Sequence, residues 1–119
     1  MIPIFPVIEL FDRLAIARVK WRRTASNEAE LTFYSEQIQT YDLTKIMDLL
    51  HDLEVVHEQI WDLEKELKNG YEQSLALEEI GRRAIKIRDY NRRRISLKNA
   101  IAERLGDHVL ELKRDHLSA

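Results

Sequence analysis

No cysteine occurs among the 119 residues, which excludes disulfides, thiolate zinc sites and cysteine nucleophiles and agrees with a reducing compartment. Only three glycines and two prolines are present, too few to break up long regular elements. With 45% hydrophobic and 34% charged residues, the composition suits a folded, helix-rich protein rather than a disordered chain. The apolar opening MIPIFPV is short, has no basic flank and is followed at once by Glu9, Asp12 and Arg13. It reads as neither secretory signal nor membrane anchor, so a cytoplasmic location is expected. No Ser-His-Asp order, glycine-rich phosphate loop or zinc spacing can be picked out.

What is present is charge, unevenly placed. Glu28 to Glu79 holds 14 acidic and 3 basic residues, whereas Arg82 to Lys98 holds 8 basic residues against Asp89 alone. With a net charge of only −2, this asymmetry favours acidic and basic helix faces lying side by side over nucleic-acid binding, for which a basic total is usual. Arg92-Arg93-Arg94 and its neighbours spread around most of a helix, so only part of them can face one phosphate backbone.

The chain is organised around LTKIMDLLHDLEVVHEQIWDLEKELK, residues 43–68. Leu49, Leu53, Val56, Ile60, Leu63 and Leu67 alternate four and three apart, which lines them along one helix face, and Ile46, Leu50 and Trp61 widen that stripe. Before it, Val7, Leu10, Phe11, Leu14, Ala17 and Trp21 predict a helix over 7–23 entered at Pro6, with Glu9 and Arg13 pairing on its outer side. Asn27 and Glu30 have capping-box spacing for a helix over 28–40 that buries Leu31, Tyr34 and Ile38. Asp42 is the expected N-cap of the central helix, though the tight turn also allows helices two and three to run on with a kink. Asn69-Gly70 is a stop, and a fourth helix over 74–105, seeded around Ser74, carries Leu77, Ile80, Ala84, Ile87, Ile95, Ile101 and Leu105 on one face. The tail 107–119 contains Val109, Leu110 and Leu112 and is either one more helical turn or a docking arm.

The expectation is therefore an all-α single domain: a bundle of about four helices built on a long antiparallel hairpin. The two long helices would reach about 39 and 46 Å at 1.5 Å per residue. Helices one and two cannot cover both, so a second copy of the chain is the expected partner.

Polar residues set into this seam are the candidate site. His57 and Glu64 stand on the central helix, and Asn91, Arg94 and Lys98 on the apolar stripe of the fourth. Counting outward from a turn near Gly70 places Glu64 opposite Leu77 to Ile80 and His57 opposite Ala84 to Ile87. Asn91 and Arg94 then fall near Leu50 and Leu53, so a single cluster is not expected without a second subunit. Glu54-x-x-His57 and Asp48-x-x-His51 have the spacing of carboxylate di-iron bundles, but both lie on one helix, and no metal or cofactor is expected. Helical nucleotide pyrophosphohydrolases need paired glutamates with a third acid three residues on; Glu78-Glu79 is followed by Arg82 at that place.

Three blocks carry a resemblance. They are Glu9-Leu10-x-Asp12-Arg13-Leu14, Glu58-x-Ile60-Trp61-x-Leu63-Glu64, and Asn91-x-Arg93-Arg94 with Leu97-Lys98 and Gly106. On these the chain resembles a family of small helical proteins of unknown function from bacteria and their phages, with His57 and Arg92 standing in place of the family's Asn and Asp. The resemblance carries no activity. It implies Asp12, Glu58, Trp61, Glu64, Asn91 and Arg93 or Arg94 as the polar positions of interest, which with His57 and Lys98 complete the candidate cluster. The expected role is a cytoplasmic structural or protein-interaction module that self-associates. The alternative is a small ligand-binding or anion-binding helical-bundle enzyme using Glu58, Glu64 and Asn91 with arginines as an anion clamp.

Overall fold

The computed structural model describes residues 5–68 and 76–106. The turn at Asn69-Gly70, the seed at Ser74, the Leu67 side chain and the tail 107–119 lie outside the described residues. Among those described, the chain forms four α-helices and no strand: α1 Val7–Thr24, α2 Glu28–Gln37, α3 Met47–Lys68 and α4 Leu77–Arg104.

Pro6 is extended, with ψ 157°, and its carbonyl accepts the free amides of Glu9 and Leu10 at 3.0 and 2.9 Å. This is the entry that proline's missing N–H and fixed φ favour. α1 ends where Ala25 takes the left-handed conformation (φ 50°) and returns its N–H to the Trp21 carbonyl.

The next junction departs from expectation in two ways. Asn27 does not complete a capping box. Its amide instead donates to the Ala17 carbonyl of α1 at 3.0 Å and to Glu30 at 3.3 Å, so it ties the two helices together from a buried position. Helix two also stops at Gln37, tightening into a 3-10 turn over Ile38–Thr40. Tyr41 is extended, and Asp42 caps a second 3-10 turn over Leu43–Lys45 by accepting from the Thr44 amide at 3.1 Å. α3 therefore starts at Met47, after a real break.

The core gathers Leu10, Phe11, Leu14 and Ala15 from α1, Ile46 just before α3, Leu50, Leu53 and Val56 from α3, and Leu97, Ile101 and Ala102 from α4. Leu49 and Ile60 join it, whereas Leu63 is half-buried. α2 contributes no fully buried residue and lays Leu31 and Tyr34 over the core's edge, with Ile38 buried just beyond it.

Two sequence expectations fail here. Trp21 is 36% exposed and Val19 takes the interior place at the end of α1. On α4 only the second half of the apolar face is buried: Ile95 is 4% and Ala102 0% exposed, but Leu77 is 86% exposed. The reason is length, because α1 spans about 27 Å against about 42 Å for α4. No helix among the described residues is long and apolar enough to cross a membrane.

Ion pairs set the directions. Arg18 meets Glu54 and Arg23 meets Asp62, so α1 runs parallel to α3. Asp12 meets Arg94 and Glu9 meets Lys98, so α1 is antiparallel to α4. α3 and α4 are joined by Glu66 with Arg83 and Asp48 with Arg104. That register puts His57 opposite the turn containing Arg94, several residues further along α4 than Ala84 to Ile87.

Candidate functional site

Three helix stripes carry polar residues among buried apolar ones, and the observed register brings these polar residues together. α1 presents Ile8, Asp12, Ala15 and Val19, spaced four, three and four. α3 presents Leu53, His57, Ile60 and Glu64 with the same spacing, and α4 presents Asn91, Arg94, Lys98 and Ile101. Equal spacing on a helix means a shared face.

Asp12 is the hub. It is 1% exposed, and its Oδ1 receives His57 Nε2 at 2.8 Å and Arg94 Nε at 2.9 Å, while Oδ2 receives Arg94 Nη2 at 2.6 Å. Lys98, 3% exposed, donates to Glu9 Oε1 at 3.0 Å and stands 3.9 Å from Asp12 Oδ2. Glu9 therefore faces α4 instead of pairing with Arg13, because a buried lysine needs a counter-charge more than a surface arginine does. Arg13 lies over the Phe5 ring, 4.4 Å from its centroid.

Burial pushes the Asp12 carboxyl upward. The hydrogen bonds from His57 and Arg94, with the charges behind them, outweigh that effect and hold it well below the usual carboxylate range. An ionised carboxylate only accepts, so His57 donates to it through Nε2. Asn91 closes the arrangement by accepting from Arg94 Nη1 at 3.2 Å.

In front of this network lies a pocket of about 260 Å³. α1 starts against α4 and leans onto α3 as it proceeds, and the wedge it leaves is the pocket. Ile16, Val19, Ile60 and Trp61 give it an apolar lining, and His57, Glu64, Asn91 and Arg94 a polar one. The single cluster that turn counting argued against thus forms within one chain.

Two candidates lie elsewhere. Arg93 is exposed on the outer side of α4. Glu58 belongs to a ladder between α1 and α3, in which Arg22 meets Glu54 and Glu58 at 2.6 and 3.3 Å and Arg23 meets Glu58 and Asp62 at 2.6 Å each. The hydrogen bond to Asp62 is the main influence raising the Arg23 guanidinium, and the same bond lowers Asp62. Arg23 also sits 5.6 Å from the Trp61 ring centroid.

Sequence reasoning missed Glu9, Ile16 and Val19 as contributors to this region, and missed the ladder altogether. The signals were there: Asp12 interrupts a four-three-four stripe, and Arg18 and Arg22 match Glu54, Glu58 and Asp62 in helical spacing. The di-iron-like pairs serve other contacts, with Glu54 on arginines and His57 on Asp12. Among the described residues no group of three or more His, Cys, Asp or Glu is arranged to hold a metal ion. Compared with known proteins, the chain is matched by no family model, curated protein or solved structure.

Proposed function

We propose that this chain is a small self-associating helical module, a structural or protein-interaction element of the cytoplasm. One observation carries the reading. Leu77 and Ile95 are five full turns apart on α4, as are Ala84 and Ala102, so each pair points the same way. Ile95 and Ala102 are buried, whereas Ala84 is exposed, Leu77 is 86% exposed and neighbouring Ile85 is 50% exposed. A helix that keeps its apolar face past the end of its own cover is suited to a further helix, and a second hairpin of the same kind supplies one. A bare anion clamp is not favoured, because Arg94 already lies on Asp12 and Glu64 lines the same pocket.

Light scattering coupled to size-exclusion chromatography tests this. The wild type is expected to elute as a dimer or higher oligomer that dissociates on dilution. Leu77→Glu and Ile85→Glu are expected to give a monomer with an unchanged helical spectrum. A wild-type chain that stays monomeric at near-millimolar concentration overturns the reading.

A further inference from the structure

The uncovered half of α4 carries both a projecting side chain and a hollow that fits it. Leu77, 86% exposed, is the projection. Further along, Ala84, Ile87, Arg88 and Asn91 line, with Ile85, a groove of about 400 Å³. The first four are spaced i, i+3, i+4 and i+7, the set of neighbours on a helix surface that encloses one side chain of a facing helix. Between projection and groove lies Gly81, where an added Cβ would meet nothing within 4 Å. Glycine weakens a helix interior relative to alanine, and no neighbour among the described residues requires one there. A second backbone approaching closely from outside does.

Charge follows the same pattern. The Glu78 side chain is 87% exposed and meets Arg82 at 4.0 Å. Arg88 reaches Asp89, its own chain neighbour, at 3.5 Å, and its buried Nε has no hydrogen-bond partner among the described residues. Glu78 and Arg88 lie about 15 Å apart along one helix, too far to pair within the chain. In an antiparallel pair of α4 helices they come together. Leu77 and Arg88 are equidistant from a point between Arg82 and Arg83, and so are Gly81 and Ala84, so one two-fold axis at that point aligns both layers and makes each contact twice. We propose that the occupant of this face is a second copy of the chain, crossing antiparallel at Gly81 and Ala84 with about 20° between the helices. Leu77 of each copy fills the groove of the other, and Glu78 of each copy pairs with Arg88 of the other. The interface rests on self-association and adds to it a direction, a register and a charge pair.

Two charge variants of the full chain test it by light scattering. Glu78→Arg and Arg88→Glu are each expected to weaken the dimer about tenfold or more, since each brings like charges together at both ends of the crossing. Mixed in equal amounts, the two are expected to form a heterodimer, in which both pairs are again of opposite sign. Register is read by cysteine, which the chain lacks. Leu77→Cys and Arg88→Cys are expected to give an interchain disulfide only when the two variants are mixed. In an antiparallel pair each of these cysteines stands about 16 Å from its own equivalent, beyond bridging distance. Gly81→Phe, which fills the crossing, is expected to give a monomer with the circular dichroism of the wild type. A wild-type chain that is monomeric at near-millimolar concentration overturns self-association and this interface together. The interface alone is overturned by a wild-type dimer whose charge variants do not prefer each other, whose Leu77→Cys chain bridges to itself, or whose affinity survives Gly81→Phe.

Discussion

α1 meets charge on two sides, and the two encounters are built in opposite ways. Toward the interior, Asp12 and Glu9 are matched to Arg94 and Lys98 at side-chain exposures of 2%, 35%, 30% and 3%. Toward the surface, Arg18, Arg22 and Arg23 share Glu54, Glu58 and Asp62, and Arg22 and Asp62 are 46% and 65% exposed. In the interior each partner has one place, because a charge left over in a dry region costs several kcal/mol. On the surface, water and salt stand in for a missing partner, so a bridge there contributes about 0–1 kcal/mol. The buried network therefore specifies how α1, α3 and α4 align, and the ladder keeps α1 lying along α3 without deciding its register.

Removing the hub is the strongest way to break this contrast. Asp12→Ala removes the buried carboxylate that His57 and Arg94 donate to and that stands beside Lys98, and a loss of about 3–5 kcal/mol is expected, a large share of the stability of a typical domain. Urea denaturation followed by circular dichroism measures it. A loss under about 1 kcal/mol would make the buried network equivalent to a surface ladder.

Acid probes the same hub without mutation. The folded-state pKa of Asp12 lies below the unfolded value of about 3.9, so its contribution to stability is complete above that value. It is lost as pH falls below about 4, at no more than about 1.4 kcal/mol per pH unit for one proton. Carbon-detected NMR of the carboxyl groups should show Asp12 still ionised in the folded protein at a pH where exposed aspartates have titrated. Titration of Asp12 in the ordinary carboxylate range would show that the hydrogen bonds from His57 and Arg94 do not outweigh burial.

The fold class was legible because helix formation and apolar periodicity are local. Leu53, Val56 and Ile60 share a face by spacing alone, and all three are buried. What spacing cannot supply is register between helices, which follows from the connection between them and from which charges must meet. Counting from Gly70 placed Asn91 and Arg94 near Leu50 and Leu53, whereas Arg94 shares Asp12 with His57, a register in which Glu66 meets Arg83 and Asp48 meets Arg104. Asn27 shows the same limit at smaller scale. Its spacing to Glu30 suggests a local cap, and the Ala17 carbonyl, ten residues back, took its amide instead. Asp12 was named only through the resemblance, and its partners were not legible, since they come from residues 45 and 82 positions away.

The surface side of the contrast is sharpened by a quieter change. Glu58→Gln removes the charge that Arg22 and Arg23 share, yet each arginine keeps another acid, Glu54 for Arg22 and Asp62 for Arg23. The expected cost is under about 1 kcal/mol. It should shrink further as salt is raised toward 1 M, where screening extends only about 3 Å, and melting curves of both proteins at low and high salt measure this. The buried network should respond to salt far less, because ions do not enter a region where Asp12 is 1% exposed. If Glu58→Gln costs as much as Asp12→Ala and salt leaves that cost unchanged, the ladder positions α1 as firmly as the interior does, and exposure no longer separates the two regions.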